Sequence, residues 1–229
     1  MWRAKRPASN SLTTVSRLSA SRSPACQSTR SSSCRTSARR RPRAVFVNAG
    51  WVGGGNIPQI FRELARGELV VQAIFLAGRN EELRAEAESV AATAKFPVKV
   101  IGYSEQVEQL MQAANVMVSK LGGLTTFEAL NCRVPIIADA TTPPMPQESG
   151  AARMLAKRGA GVLLKRASDI VPVVRRMVED SRYYASLRAA TAGLALPDAT
   201  RRIVEEITAL IPAPALAEEE ASPFEVGSA

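Results

Sequence analysis

The sequence predicts one α/β domain of the Rossmann type, with a parallel sheet and helices on both faces. Three observations indicate this fold class: short apolar runs alternate with helical stretches, the runs are apolar on both faces, and glycine-rich loops follow several of them. Strands buried on both faces read as continuous apolar runs, and their alternation with helices is typical of parallel sheets. Ligands of such sheets bind beyond the carboxyl ends of the strands, so the loops after strands guide the functional prediction.

The individual elements follow from the periodicity of the apolar residues. Six apolar runs of strand length are predicted to form the sheet, at 45–48, 70–77, 98–103, 116–119, 135–139 and 162–164. Helices are predicted between them at 57–66, 80–92, 105–114, 125–131 and 147–158. Three more helices are predicted near 168–179, 181–192 and 198–210, and Asp180 and Asp198 are suitable start signals for the last two.

Composition divides the chain into a leader at 1–42, a folded domain at 43–211 and a flexible acidic tail at 212–229. Residues 1–44 contain eleven Lys or Arg, eleven Ser and no acidic residue. Such a segment buries too little apolar surface to fold, and this composition is typical of transit peptides. We therefore expect import into a plastid such as the chloroplast or, as the less favoured destination, into a mitochondrion. A disordered tail or a wrongly predicted first exon are the alternatives, and the protein would then be cytoplasmic.

Charge and residue usage exclude several classes of function. The net charge is +9, but the residues after 44 carry 19 basic and 21 acidic side chains, so the domain is close to neutral and no nucleic-acid partner is expected. The chain has no histidine, which excludes Ser-His-Asp and Cys-His catalysis and histidine-ligated metals. Its three cysteines have no zinc-site spacing, and no apolar run reaches the roughly 18–20 residues of a membrane span. We expect no metal site and no cofactor.

The loop at 48–56, which follows the first strand, contains four glycines in six residues. Glycine lets the backbone approach a ligand closely, and the helix that follows presents free amides and the positive end of its dipole. Gly53 and Gly54 are therefore candidates for binding a phosphorylated ligand. The loop lacks the sequence of an ATP-binding P-loop, and a purely structural turn is the alternative.

The loop after the fourth strand holds a second candidate site. Gly122 and Gly123 turn the chain, and Thr125 is predicted to cap the next helix. In the functional interpretation, this turn and the amides of Thr125 and Thr126 bind a diphosphate, while Glu128 accepts hydrogen bonds from two ribose hydroxyls. In the structural alternative, Glu128 lies three residues after Thr125 and simply completes a capping box.

The proline-rich loop after the fifth strand leads to Gln147 and Glu148 at the predicted start of a helix. An amide next to a carboxylate offers both donors and acceptors, which suits the hydroxyls of a sugar. The structural alternative is that Glu148 only complements the helix dipole.

These loops occur in an order that resembles the carboxyl-terminal domain of glycosyltransferase family 28, above all its diacylglycerol galactosyl- and glucosyltransferases. The similar stretch runs from 75 to 163, and its matching pieces are AGRNEEL at 77–83, VKVIGYSEQVEQLMQAANVMVSKLGGLTTFEAL at 98–130, VPIIADATTPPMPQE at 134–148 and KRGAGVLL at 157–164. The resemblance implies the carboxyl-terminal half of a GT-B glycosyltransferase, in which two Rossmann-like domains enclose the active site.

The resemblance also implies a role for each matching residue. Glu128 corresponds to the ribose-binding glutamate of the family, and the residues of the diphosphate-binding turn are Gly122, Gly123 and Thr125. The pair Gln147 and Glu148 corresponds to the residues that hold the donor sugar. The residues that pack on uracil are Ile101 and Tyr103, and Arg79 takes the place of a basic residue at the donor site.

Two positions depart from the family pattern. Ala151 stands where the family commonly has asparagine, three residues after the Gln-Glu pair, which affects sugar choice or affinity. Pro146 replaces a glycine directly before that pair, which alters the path of the loop.

The function implied is transfer of a hexose from a UDP-sugar to a lipid acceptor such as diacylglycerol. The family places the acceptor site and the catalytic base in a preceding domain, so the catalytic residue is unknown and this chain is expected to be a fragment or shortened relative, inactive alone. One alternative is a free-standing UDP-sugar-binding subunit that completes its active site with a membrane-bound partner, as in UDP-GlcNAc transferases. Another is a non-catalytic nucleotide-sugar-binding protein.

Overall fold

The computed structural model describes residues 42–50, 55–141 and 148–211. Its sheet has six strands: β1 (Arg43–Asn48), β2 (Val71–Leu76), β3 (Val98–Ile101), β4 (Val116–Ser119), β5 (Ile136–Asp139) and β6 (Gly161–Leu164). The helices are α1 (Ile57–Arg66), α2 (Glu81–Thr93), α3 (Val107–Ala113), α4 (Gly123–Asn131), α5 (Ser149–Arg158), α6 (Ile170–Glu179), α7 (Ser181–Ala192) and α8 (Ala199–Leu210). A short 3-10 turn at Ala167–Asp169 precedes α6.

The strand order is β3-β2-β1-β4-β5-β6, and every neighbouring pair is parallel. The order therefore reverses between β1 and β4, and the carboxyl ends of these two strands border the crevice in which ligands of such sheets bind. Asn115 joins the two strands at the opposite edge of the sheet. Its backbone amide donates to the Ala44 carbonyl at 2.8 Å, and its side-chain Oδ1 accepts from the Ala44 backbone amide at 2.7 Å.

Apolar side chains form a core on each face of the sheet, because successive residues of a strand point to opposite faces. In β1, Val45 and Val47 pack with α1, α2, α6 and α7, whereas Phe46 packs with α3, α4 and α5. The rings of Phe61 and Phe75 pack at 4.6 Å between centroids, tilted by 42° to each other, in the first of these cores. The predicted fold class, a single domain with a parallel sheet and helices on both faces, is confirmed.

Most predicted elements agree with the structure within one or two residues, and two differences concern the candidate site. The third strand ends at Ile101 instead of continuing to Tyr103, and α4 begins at Gly123 instead of Thr125. The predicted leader and tail lie outside the described residues, so the domain boundaries at 43 and 211 stay predictions. Within the described part of the chain, no helix has the length and apolar character needed to cross a membrane.

Candidate functional site

The N-terminus of α4 opens onto the crevice between β1 and β4. Gly122 is its N-cap residue in extended conformation, and no side chain caps the helix. A Cβ atom added to Gly122 or Gly123 would meet no atom within 4 Å, so none of the described residues fills the space beside these two glycines. The first amides of a helix have no partner inside it, and the helix dipole adds positive charge there. The arrangement is suited to an anion such as a phosphate.

The start of α4 corrects two expectations about its threonines. Thr125 is the third residue of the helix and not its cap, so its amide is one of the three that lack an intrahelical partner, with those of Gly123 and Leu124. Thr126 is buried, and both its amide and its hydroxyl donate to the Gly122 carbonyl, at 3.0 and 2.7 Å. The Thr126 amide is therefore not available to a ligand.

Glu128 is exposed on the same helix, beyond its first turn. A capping box would need Glu128 three residues after the N-cap, but Gly122 occupies the cap position and the residue three places on is Thr125. The structural alternative for Glu128 is therefore wrong. Its carboxylate is left to face a cavity.

This cavity, of about 190 Å³, brings together residues from three strand ends and two helices. It is lined by Asn48, Gly50, Leu76, Gly78, Tyr103, Ser104, Val107, Thr125 and Glu128. Three of the predicted site residues, Tyr103, Thr125 and Glu128, are thus close in space although 25 positions separate the first from the last. The cavity offers a carboxylate, hydroxyls, an amide side chain and an aromatic ring at the edge where the parallel strands end.

Tyr103 follows β3, and its ring is 46% exposed. The Arg79 guanidinium lies over this ring at 4.3 Å from the centroid, a cation–π contact that holds two of the predicted site residues together. Ile101 behaves differently: it ends β3, its carbonyl accepts the Ala77 amide at 2.8 Å, and its partly buried side chain packs on the core. Ile101 therefore belongs to the strand, and the loop predicted to pack on uracil begins after it. Within this loop, Tyr103 supplies the aromatic ring that lines the cavity.

A side chain from another strand bonds the N-cap residue of α1, whereas no such bond is described at the N-terminus of α4. Asp139, the last residue of β5, is buried, and its Oδ2 accepts a hydrogen bond of 2.7 Å from the backbone amide of Asn56. Its Oδ1 accepts the amide and the hydroxyl of Thr141 at 3.0 and 2.7 Å. Asp139 is not among the sequence-predicted site residues, although an acidic residue at the end of a buried strand is a recognisable signal.

Asn48 and Ser104 are two further polar residues of the cavity that sequence reasoning missed. Asn48 is buried at the end of β1, and its Oδ1 accepts the amide of Gly50, which has a φ of 80°. The Ser104 hydroxyl accepts the Gln106 amide at 3.1 Å. Asn48 ends β1 and Ser104 lies three residues after β3, so the rule that ligands bind at the carboxyl ends of strands could have singled them out.

Other predicted residues are only partly located by the structure. Gly53, Gly54 and Gln147 lie outside the described residues. Glu148 precedes α5 in helical conformation and is half-buried, and its side chain makes no capping hydrogen bond. The assignment of Gln147 and Glu148 to a sugar stays a prediction.

A second cavity, of about 430 Å³, lies beside the first, and Glu128 and Val107 line both. Its other lining residues are Glu108, Met111, Gln112, Asn131, Cys132 and Pro197. Burial raises the pKa of the Cys132 thiol, and the nearby carboxylates of Glu108 and Glu128 raise it further. Across the described ranges, no group of three or more His, Cys, Asp or Glu side chains could hold a metal ion.

No family model matches the chain. Among curated proteins, it is 28% identical over 137 residues to a processive diacylglycerol β-glucosyltransferase of Bacillus pumilus, and 28% identical over 139 residues to one of Bacillus cereus. These matches cover 60% and 61% of this chain but only 35% of each relative. The similarity thus spans about a third of the length of these relatives.

Solved structures share the fold at low identity. Acinetobacter baumannii MurG has a TM-score of 0.64 at 15% identity, over 75% of this chain and 51% of that one. Anabaena HepE in complex with UDP and glucose has a TM-score of 0.54 at 19% identity, over 74% and 49%. A Neisseria meningitidis UDP-GlcNAc 2-epimerase has a TM-score of 0.55 at 18% identity, over 74% of this chain and 45% of that one. The chain therefore has the Rossmann-like fold of about half of such a protein, and its sequence is similar to diacylglycerol glucosyltransferases.

Proposed function

We propose that this domain binds the UDP-sugar donor of a glycosyltransferase. The observation that carries the proposal is the pairing of an open helix N-terminus at Gly122 and Gly123 with the exposed carboxylate of Glu128, beside one cavity. A nucleoside diphosphate presents an anion and a ribose diol a short distance apart. The helix terminus would receive the diphosphate, and Glu128 would accept both ribose hydroxyls.

The nucleobase of the donor would lie at the Tyr103 side of the same cavity. The ring is partly exposed and is held on one side by Arg79, so it offers a flat surface for stacking. A single cavity would then contact the base, the ribose and the diphosphate in sequence. This order supports a nucleotide over a simple phosphorylated metabolite.

The reaction we propose is transfer of a hexose to a lipid hydroxyl, with diacylglycerol as the acceptor. As the bond between the sugar and the β-phosphate breaks, negative charge grows on the departing diphosphate. Amides at a helix N-terminus stabilise such charge because they are already oriented toward it. The base that accepts the proton of the acceptor hydroxyl would come from outside the described domain, on a further segment or a membrane-associated partner.

Sequence similarity, more than fold, supports the choice of reaction. The fold is shared by proteins named as glycosyltransferases and as UDP-GlcNAc 2-epimerases, so it favours neither. The curated relatives are named as diacylglycerol β-glucosyltransferases, and this supports transfer to a lipid.

Calorimetric titration of the full chain with UDP tests the proposal, using Glu128→Ala. Loss of hydrogen bonds to a charged acceptor should cost about 1.5–3 kcal/mol of binding, a ten- to hundredfold weaker affinity. The melting temperature should change little, because Glu128 caps no helix. Glu108→Ala is the matched control, since Glu108 lines only the neighbouring cavity and its loss should leave UDP affinity unchanged. Equal UDP affinity in wild type and Glu128→Ala would refute the proposed site.

A further inference from the structure

Lys120 directly follows β4 at the carboxyl edge of the sheet, two residues before the N-cap of α4. Its carbonyl accepts the Gly122 backbone amide at 3.0 Å, so a tight turn holds Lys120 beside the first turn of the helix. Successive strand residues point to opposite faces, so Lys120 continues the face of Val118, which packs on the α1 side of the sheet. In agreement, a Cβ added to Gly55 would lie 3.6 Å from the Lys120 Cβ. Lys120 therefore lies between the N-termini of α1 and α4.

The environment of Lys120 differs from that of the other lysines. Of the five lysines in the described part of the chain, four are exposed and only Lys120 is half-buried. Its ammonium makes no ion pair or hydrogen bond with any described residue. The carboxylate of Asp139 also approaches Gly55, but it accepts hydrogen bonds from Asn56 and Thr141 instead. A lysine is rarely withdrawn from water without an opposite charge, so this ammonium is suited to an anion that comes from outside the domain.

Lys120 lies apart from the cavity assigned to the nucleoside. That cavity is lined by Tyr103, Thr125 and Glu128, and Lys120 is not among its lining residues. Glu128, the proposed ribose ligand, comes five residues after the start of α4, whereas Lys120 precedes that start. A nucleotide whose ribose is bound by Glu128 and whose diphosphate reaches the helix terminus would therefore bring its last phosphate group toward Lys120.

We propose that Lys120 binds the phosphate group that is farthest from the nucleoside, and that it makes the site select nucleoside diphosphates over monophosphates. The inference rests on the proposed function. The amides at the start of α4 carry partial charges and serve any phosphate placed there. An ammonium on a flexible stem adds a full positive charge, and it is a common ligand of phosphate. Because a partly buried charge is screened little by salt, its effect is concentrated on the nearest phosphate.

The test is calorimetric titration of the full chain with UDP and with UMP, for wild type and Lys120→Met. Methionine keeps the unbranched stem beside Gly55 and removes the charge. Affinity for UDP should fall about ten- to a hundredfold, the usual range for hydrogen bonds to a charged group. Affinity for UMP should stay within about twofold, because its single phosphate lies next to the ribose. Lys120→Arg keeps the charge and should retain most of the preference for UDP, and Lys120→Gln serves if the methionine variant does not fold.

Lys165→Met is the matched control. Lys165 directly follows β6 at the same edge of the sheet, but it is exposed, so the variant loses the same charge without losing a group of the crevice. Both affinities should stay unchanged in it. If Lys120→Met weakens UDP and UMP equally, or weakens neither, the role of Lys120 is refuted and the proposed function, which is tested through Glu128, stands. If wild type binds neither nucleotide, the proposed function fails and this proposal with it.

Discussion

The N-termini of α1 and α4 occupy equivalent places in the fold but differ in their surroundings. Each helix follows a strand at the edge of the same crevice, and each is preceded by glycines. At α1 the amide of Asn56 is bonded to the buried carboxylate of Asp139. At α4 no described atom lies within 4 Å of a Cβ added to Gly122 or Gly123, and none of the described side chains caps the helix.

The difference teaches that a glycine-rich strand-to-helix turn does not identify a phosphate site until the fold shows what fills it. At α1 the protein supplies its own anion, and the glycine at 55 is needed because the carboxylate leaves no room for a side chain. At α4 the glycines face nothing in the described chain, so the amides remain for a ligand. Gly53 and Gly54, the residues predicted to bind a ligand at the first turn, lie outside the described residues, so that prediction stays open.

The largest effect is expected from making α4 resemble α1. Gly122→Asp places a carboxylate at the N-cap, where the extended conformation of Gly122, with φ of −79° and ψ of 142°, accepts any residue. The new side chain should bond the amides of the first turn and raise stability by a few tenths of a kcal/mol. It should also weaken UDP binding at least about a hundredfold, because two like charges 4 Å apart repel by about 4 kcal/mol near a protein surface.

Calorimetry and thermal melts on Gly122→Asp, with Gly122→Ala as the control, measure both effects. The alanine variant adds no charge and should bind UDP as wild type does. Retention of UDP affinity in the aspartate variant would show that the nucleotide binds elsewhere and would remove the functional difference between the two termini.

A smaller effect is expected from crowding the occupied terminus of α1. Gly55→Ala places a methyl group 2.8 Å from Asp139 Oδ2 at a φ of 74°. Gly159→Ala is the matched control, since Gly159 has a φ of 64° but its added Cβ meets nothing within 4 Å. The control should cost about 1–2 kcal/mol of unfolding free energy from backbone strain alone. Gly55→Ala should cost about 1.5–3 kcal/mol more, the value of a hydrogen bond to a charged group. Equal losses in urea unfolding would show that the Asp139 contact does not stabilise α1.

The smallest effect concerns Cys132, the residue that ends α4 at its far side. Burial first, and then Glu108 and Glu128, raise the pKa of this thiol above its ordinary value of 9.0. Because only the thiolate reacts, alkylation of Cys132 should be slow at pH 8 and should still accelerate above pH 9. Glu128→Gln removes one of the two charges and should speed the reaction modestly at pH 8, as followed by mass spectrometry of the Cys132 peptide. A rate that levels off below pH 9 would contradict the raised pKa.

The sheet could be predicted because its signal is local. Val45, Phe46 and Val47 are all buried, and a run that is apolar on both faces indicates a central strand without knowledge of its neighbours. The sequence also predicted that one site brings together Tyr103, Thr125 and Glu128. Each of these residues lies after a parallel strand, and the carboxyl ends of such strands meet at one edge of the sheet.

The remaining details depend on tertiary contacts that no window of sequence contains. The hydrogen bond between Asp139 and Asn56 joins positions 83 apart, and only the strand order brings them together. The start of α4 was misplaced because threonine is a good cap and glycine a poor helix former. In the folded chain Thr126 is buried and bonds the Gly122 carbonyl twice, and this extends the helix back to Gly123.

The pairing of β1 with β4 has a consequence for how the chain folds during synthesis. Residues 45–48 of β1 pair with residues 116–119 of β4, so this edge of β1 stays unpaired until at least 71 further residues have left the ribosome. Contacts this distant in sequence form slowly, and an exposed apolar strand edge can pair with other chains in the meantime. The crevice between the two strands therefore cannot form before β4 has been made, and a chain released before residue 116 would carry an open, aggregation-prone edge in place of a ligand site.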